Sequence, residues 1–200
     1  MSPFDRDKSS ERLPVAVISG FLGSEKTTIL NRALGDPRMA RSLVLVNEFG
    51  EIGLDHLFME QVEGDMVLLQ SGCVCCTIQG DLERALRDVA RRRAEGIAPP
   101  FHRVLLETTG LADPAPILQL LLNHPMISHD YRLDGVVTTV DSLNGARQLD
   151  EHIEAVKQAA VADRLVISKT DLADIDTSAR LRARLEILNP GASLYEVVQG

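Results

Sequence analysis

Short apolar runs alternate along the chain with longer stretches in which apolar side chains recur every three or four residues. The apolar runs are rich in valine, isoleucine and leucine, which is typical of buried strands. They lie at residues 14–19, 42–47, 66–70, 103–108, 135–141, 164–169 and 193–198. The stretches between them have the spacing of amphipathic helices. This alternation predicts an α/β fold, a mostly parallel β-sheet sandwiched by helices.

The clearest predicted helix covers residues 81–96, DLERALRDVARRRAEG. Asp81 and Gly96 suit its two ends as caps. Prolines at the start of residues 114–125 and near the end of residues 176–191 mark the limits of two further helices. In open parallel sheets, ligands bind outside the carboxyl ends of the strands, so the functional residues are expected at that edge.

Composition narrows the class of protein. The chain has 200 residues, of which 44% are hydrophobic, which is enough for one domain with a substantial core. No apolar run approaches the roughly 20 residues of a membrane span, and the first residues are too polar for a secretory signal. The net charge of -8 argues against broad nucleic-acid binding. We therefore expect a cytoplasmic protein with no membrane or nucleic-acid partner, in which residues 1–13 form a disordered tail and 14–200 form one domain.

A phosphate-binding loop is predicted between the first strand and the helix that follows it. The pattern G-x-x-x-x-G-K-[ST] is matched at every fixed position except the second glycine. The loop consists of Gly20, Phe21, Leu22, Gly23, Ser24, Glu25, Lys26 and Thr27. In such a loop the backbone amides hold phosphate oxygens, Lys26 reaches the β- and γ-phosphates, and Thr27 is a ligand of Mg²⁺.

Glu25 stands at the missing glycine. A carboxylate about 5 Å from a phosphate charge, at an effective dielectric constant near 20, is repelled by roughly 3 kcal/mol per unit charge. A backbone with positive φ at this position would add about 1–2 kcal/mol. If instead the side chain turns into solvent, the amides and Lys26 remain usable. The sequence leaves both possibilities open.

The three cysteines of the chain, Cys73, Cys75 and Cys76, lie within four residues after a predicted strand. This is not the spread of a disulfide framework, and C-x-C-C is too tight for a C-x-x-C redox pair. Three thiolates leave a fourth coordination position open, which suits a metal ion that arrives and leaves. The spacing favours Zn²⁺, with Co²⁺ or Cu(I) as alternatives.

Six motifs together resemble one family, the CobW-type GTPases, which are related to the nickel chaperone GTPases of urease and hydrogenase maturation. They are GFLGSEKTT, NEFGEIGLD, SGCVCCT, ETTGLADPAP, TTVDS and ADRLVISKTDL, and the match runs from about Pro14 to the end of the chain. The resemblance implies a P-loop GTPase that uses GTP and Mg²⁺ to deliver zinc or cobalt to a client metalloprotein.

The resemblance also implies roles for individual residues at the phosphate end of the nucleotide. Thr28 extends the phosphate loop, and Lys26 and Thr27 keep their roles in it. Glu107 matches the acid that holds Mg²⁺ through water, and Gly110 matches the glycine that senses the γ-phosphate. Lys26, Thr27 and Glu107 are therefore the expected catalytic residues.

The resemblance assigns recognition of guanine to the SKTD segment, which corresponds to an N-K-x-D loop with serine in place of asparagine. It consists of Ser168, Lys169, Thr170 and Asp171. Asp171 would pair with N1-H and the exocyclic amine of the base. The NEFGEIGLD segment matches a switch region, whose acids could reach Mg²⁺ or complete the metal site. They are Glu48, Glu51 and Asp55, with His56 as a weaker candidate for a fourth ligand.

Two departures from the family shape the functional hypotheses. Glu25 replaces a glycine, and the chain stops where the family continues into a second domain, which we expect to be absent. The leading hypothesis is a GTP-hydrolysing metallochaperone whose turnover is reduced by Glu25. The alternatives are a metal-binding module with a silenced GTPase site and, less favoured, a P-loop kinase of small molecules. Either a monomer or a dimer is compatible with the sequence.

Overall fold

A computed structural model describes residues 12–46, 67–70 and 78–198. Seven strands form one sheet in the order β3-β2-β4-β1-β5-β6-β7, and every described pair of neighbouring strands is parallel. The strands are β1 (Leu13–Gly20), β2 (Ser42–Val46), β3 (Val67–Gln70), β4 (Arg103–Glu107), β5 (Tyr131–Asp141), β6 (Arg164–Ser168) and β7 (Ser193–Glu196).

Helices connect the strands, as the alternating pattern predicts. Those within the described residues are α1 (Lys26–Leu34), α2 (Ile78–Ala94), α3 (Pro114–Asn123), α4 (Pro125–Asp130), α5 (Gly145–Glu151), α6 (Ile153–Ala160) and α7 (Ile175–Leu188). A short 3-10 helix, Pro37–Met39, precedes β2. No described helix combines the length and the apolar character that crossing a bilayer requires.

Both faces of the sheet are covered by helices. Successive residues of a strand point to opposite faces. Val15 and Val17 of β1 join a core cluster with side chains of α2, α3 and α4, whereas Ile18 packs with Leu30 of α1. A further cluster joins β6 to α5, α6 and α7. The predicted sandwich of helices around a parallel sheet is thereby confirmed.

Several boundaries differ from the sequence expectation. β1 begins at Leu13, which is buried, so this residue belongs to the domain and not to the predicted tail. β5 begins at Tyr131, four residues before the predicted start, because its pairing with β1 begins there, at Leu13; the buried Tyr131 hydroxyl donates to the carbonyl of Leu86 at 2.8 Å. α2 begins at Ile78, ahead of the predicted Asp81. Arg12, also in the predicted tail, donates from its guanidinium to the Ser128 carbonyl at 3.2 Å, and residues 1–11 lie outside the described residues.

Candidate nucleotide site

The phosphate loop joins the last residue of β1 to the first turn of α1. Gly20 has φ 143°, and a Cβ atom there would lie 2.2 Å from Oγ1 of Thr139 in β5. Only glycine fits this close approach. The buried Ser24 hydroxyl donates to the Phe21 carbonyl at 2.7 Å and shares a hydrogen bond with Thr139 at 2.6 Å. These contacts hold the loop against the end of β5, just before α1 begins.

Glu25 occupies the N-cap position of α1 with φ 66° and ψ 31°, in the left-handed region. This region costs a residue with a Cβ atom about 1–2 kcal/mol, and a glycine much less. The loop thus keeps the backbone of a glycine at position 25 although the residue is glutamate. Oε2 of Glu25 is buried and has no hydrogen-bond partner within the described part of the chain. The carboxylate therefore does not turn fully into water.

Lys26 and Thr27, two of the predicted catalytic residues, are the first two residues of α1. The Lys26 ammonium donates to the Phe21 carbonyl at 3.2 Å, so its side chain folds back over the loop. The Thr27 hydroxyl donates to Oε1 of Glu107 at 2.5 Å. Glu107 ends β4 next to β1 and is 4% exposed. A hydroxyl and a carboxylate 80 residues apart in sequence are thereby brought into contact.

Gly110 lies directly against the phosphate loop. A Cβ atom there would be 2.6 Å from Cδ2 and 2.7 Å from the backbone nitrogen of Leu22. On its other side, the buried Gln158 of α6 donates to the carbonyls of Gly110 at 3.1 Å and Ala112 at 3.0 Å. Sequence reasoning missed Gln158, although a lone amide among the alanines of KQAAVA was an available signal.

The SKTD segment begins at Ser168, the last residue of β6, at the same edge of the sheet and contacts the phosphate loop directly. Ser168 is buried and its hydroxyl donates to the Ser24 carbonyl at 3.1 Å. The Lys169 ammonium donates to the Gly23 carbonyl at 2.8 Å. Asp171 is exposed. The serine that departs from the N-K-x-D pattern thus still binds the phosphate loop, and the structure brings the two predicted halves of the site together.

Asp141, the last residue of β5, was quoted within TTVDS but given no role. It is 1% exposed, and its Oδ2 accepts a hydrogen bond from the Lys169 ammonium at 2.8 Å. Burial by itself would raise the pKa of Asp141, but bonds donated by Lys169, by the Asn144 side chain and by the backbone amides of Leu143 and Asn144 outweigh it. The pKa is lowered from the ordinary value of 3.8, so the carboxylate is charged at neutral pH.

The predicted ligands of the zinc or cobalt ion and the switch residues lie outside the described residues. They are Cys73, Cys75, Cys76, Glu48, Glu51, Asp55 and His56. The strands that precede these segments end level with one another, since Val46 of β2 is in register with Gln70 of β3 and with Glu107. Among the described residues, no group of three histidine, cysteine, aspartate or glutamate side chains is placed to hold a metal ion.

Comparison with known proteins identifies relatives of this chain. Over 188 residues the chain is 35% identical to the zinc chaperone YjiA of Escherichia coli, which covers 94% of this chain and 58% of the relative. It is 33% identical over 203 residues to the zinc-regulated GTPase metalloprotein activator 1 of Schizosaccharomyces pombe, covering 98% of this chain and 48% of the relative. The chain therefore spans about half the length of these curated relatives.

Solved structures agree with the fold. The crystal structure of the Zn(II)-bound YjiA GTPase from E. coli matches with a TM-score of 0.76 at 31% identity, over 94% of this chain and 58% of that chain. The hydrogenase maturation factor HypB from Archaeoglobus fulgidus has a TM-score of 0.54 at 18% identity, over 96% of this chain and 83% of that chain, a likeness of fold. The family model described as the CobW/HypB/UreG nucleotide-binding domain matches residues 14–196. The chain belongs to the CobW/HypB/UreG family.

Proposed function

We propose that this chain is the GTP-binding and GTP-hydrolysing domain of a metallochaperone that carries zinc, with cobalt as the second choice. One observation carries the proposal. The SKTD segment and the phosphate loop are joined by the bond from Lys169 to the Gly23 carbonyl at 2.8 Å. A guanine nucleotide needs both a base-reading loop and a phosphate loop, and these two loops meet at the carboxyl edge of the sheet. The GTPase and zinc names of the relatives support the same function.

The phosphate half of the site suits Mg²⁺ as well as the nucleotide. Mg²⁺ prefers oxygen ligands and usually takes one or two from the protein. The Thr27 hydroxyl and the Glu107 carboxylate, in contact at 2.5 Å, fit this preference, with Thr27 as a direct ligand and Glu107 holding the ion through water. Mg²⁺ would neutralise charge on the β- and γ-phosphates.

Hydrolysis in this proposal depends on positioning and charge. Lys26 leaves the Phe21 carbonyl to reach the β- and γ-phosphates, and backbone amides of the phosphate loop hold the phosphate oxygens. Gly110 presents its backbone to the γ-phosphate, since its carbonyl is already bound by Gln158. Asp171 reads the guanine base, and its exposure leaves it accessible to the ligand.

The cargo metal is assigned to Cys73, Cys75 and Cys76, with Glu51 as a weaker further ligand. The thiolate set suits Zn²⁺, and the names of the relatives favour zinc over cobalt. The segments that carry these residues follow β3 and β2. Val46, the last residue of β2, pairs with Glu107 on one side and with Gln70, the last residue of β3, on the other. A nucleotide bound at Glu107 would thus lie close to the strand ends from which both segments continue, so its hydrolysis could change the metal site.

A second candidate function is a metal-binding module whose GTPase site is silenced. The left-handed backbone of Glu25 and the burial of its Oε2 favour this candidate, because a carboxylate that stays in the phosphate loop repels the nucleotide. The kinase alternative has no comparable support. In either form we propose a cytoplasmic protein, monomeric or dimeric, that serves a client metalloprotein.

The deciding experiment measures GTP binding and hydrolysis by this chain with and without Zn²⁺, beside its Glu25→Gly variant. Zinc-dependent turnover by the unmodified chain supports the chaperone and excludes the silenced module. Turnover confined to Glu25→Gly supports the silenced module. Equal competition by ATP and GTP would contradict guanine recognition.

The metal assignment has its own test. We expect one Zn²⁺ per chain, measured by metal analysis after gel filtration, and loss of this ion when the three cysteines are changed to serine. Retention of zinc by the triple serine variant would contradict the assignment. Tryptic digestion patterns of both proteins serve as a control for folding.

A further inference from the structure

The TTVDS segment, Thr138–Ser142, ends β5 between the phosphate loop and the SKTD segment. Its Thr139 side chain contacts Ser24 of the phosphate loop at 2.6 Å. Its next two polar residues, Asp141 and Ser142, are both 1% exposed and both contact Lys169. None of these three side chains has a role in the proposed reaction so far.

Asp141 is held rigidly. Its Oδ1 accepts the backbone amides of Leu143 at 2.8 Å and Asn144 at 3.3 Å, and its Oδ2 accepts the Asn144 side-chain amide at 3.2 Å. The remaining contact of Oδ2 is the Lys169 ammonium at 2.8 Å. A charged acceptor fixed by three other bonds gives the flexible lysine side chain one preferred position.

Ser142 holds the backbone of the same lysine. Its hydroxyl donates to the Lys169 carbonyl at 2.6 Å, and its amide donates to the Ser168 carbonyl at 3.0 Å. Lys169 has φ 56°, a left-handed conformation that a lysine adopts at some cost. The side chain and the backbone of Lys169 are therefore both fixed from the end of β5.

We propose that Asp141 and Ser142 are positioning residues that set the distance between the base-reading loop and the phosphate loop. Asp141 acts through Lys169, whose ammonium bridges the Asp141 carboxylate and the Gly23 carbonyl. Without the carboxylate, the lysine keeps only a neutral acceptor, and its long side chain regains rotamer freedom. The inference deepens the proposed function and rests on it, since it assumes a guanine nucleotide between these loops.

The test compares GDP affinity, measured with a fluorescent GDP analogue, in four proteins: the unmodified chain, Asp141→Asn, Lys169→Met and the double variant. Asparagine keeps an acceptor for the Leu143 amide and removes the charge. We expect Asp141→Asn to weaken binding roughly 10- to 100-fold, the range for loss of a group that orients a ligand-binding residue. In the Lys169→Met background the same change should have little further effect. If the unmodified chain binds GDP too weakly, all variants are made in the Glu25→Gly background.

Asp163→Asn is the matched control. Like Asp141, Asp163 accepts a hydrogen bond from a backbone amide, that of Val136 in β5 at 2.7 Å. Asp163 directly precedes β6, however, and so lies at the end of β6 opposite to Ser168. A purely structural role for Asp141 predicts that GDP affinity falls in proportion to melting temperature in both variants. That result, or an undiminished effect of Asp141→Asn in the Lys169→Met background, would overturn the proposal.

A readout without nucleotide separates this inference from the proposed function. Acetylation of Lys169 by acetic anhydride, followed by mass spectrometry, reports how firmly its ammonium is held. We expect faster acetylation in Asp141→Asn and an unchanged rate in Asp163→Asn. If neither the chain nor Glu25→Gly binds guanine nucleotides, the proposed function fails. The bridge from Asp141 through Lys169 to Gly23 is then tested by the acetylation rate alone, and an unchanged rate in Asp141→Asn would overturn it.

Discussion

Replacing Glu25 with glycine changes two physical quantities together, the backbone strain of the phosphate loop and the charge beside the phosphates. Glu25 has φ 66° and ψ 31° and gains no side-chain capping bond to α1 within the described structure. A residue with a Cβ atom pays about 1–2 kcal/mol in this region. Glycine avoids this cost but gives back roughly 0.5–1 kcal/mol through the greater entropy of its unfolded chain. We expect a net gain in unfolding free energy of up to about 1.5 kcal/mol.

The electrostatic effect is larger. Removing a carboxylate about 5 Å from a phosphate charge relieves roughly 3 kcal/mol of repulsion at an effective dielectric constant near 20, which exceeds a hundredfold in affinity. Because the repulsion is screened by salt, the gain should shrink as KCl is raised.

A second substitution separates the two effects. Glu25→Gln keeps the strained backbone and a side chain of the same length but removes the charge. It should raise GDP affinity nearly as much as Glu25→Gly while leaving the melting temperature almost unchanged. Glu25→Gly should in addition raise the melting temperature by a few degrees, the shift typical of about 1 kcal/mol in a chain of this size.

Isothermal titration with GDP and thermal unfolding followed by circular dichroism give the two measurements. Unchanged GDP affinity in both variants would refute the electrostatic reasoning. A lower melting temperature in Glu25→Gly than in Glu25→Gln would refute the strain argument.

Three further predictions follow from the site. Thr27→Ala should abolish the Mg²⁺-dependent part of GTP affinity, measured with and without EDTA, while Thr27→Ser, which keeps the hydroxyl bonded to Glu107, should retain it. Gly110→Ala should lower the unfolding free energy by about 1–3 kcal/mol in urea denaturation and slow GTP hydrolysis, because its Cβ would lie 2.6 Å from Leu22. Gly191→Ala, whose Cβ would meet its nearest neighbour at 3.7 Å, should change neither. The lowered pKa of Asp141 adds stability that is fully present above its ordinary value of 3.8 and is lost as the pH falls through the folded-state pKa. Acid unfolding of Asp141→Asn should therefore show a weaker dependence on pH below about 4 than that of the unmodified chain, and an identical dependence would contradict the assignment.

Much of the fold could be predicted because its signals are local. A buried parallel strand reads as a short apolar run whatever its neighbours are, and all seven predicted strands are present in the sheet. The predicted start of β5 was wrong by four residues because Arg132 and Asp134 interrupt the apolar pattern of the strand. Tyr131, which anchors that end, is held by a carbonyl 45 residues away in the chain.

The sequence by itself located the phosphate loop, the acid at the end of β4 and the SKTD segment, since each is a short motif next to a recognisable strand. It could not determine the conformation of Glu25, because the φ angle at that position is imposed by the loop between β1 and α1 and not by the preference of glutamate. Nor could it reveal that Asp141, Lys169 and Gly23 form a chain of hydrogen bonds. The bond from Lys169 to Gly23 spans 146 residues of sequence, and only the packing of β1, β5 and β6 side by side brings its atoms to 2.8 Å.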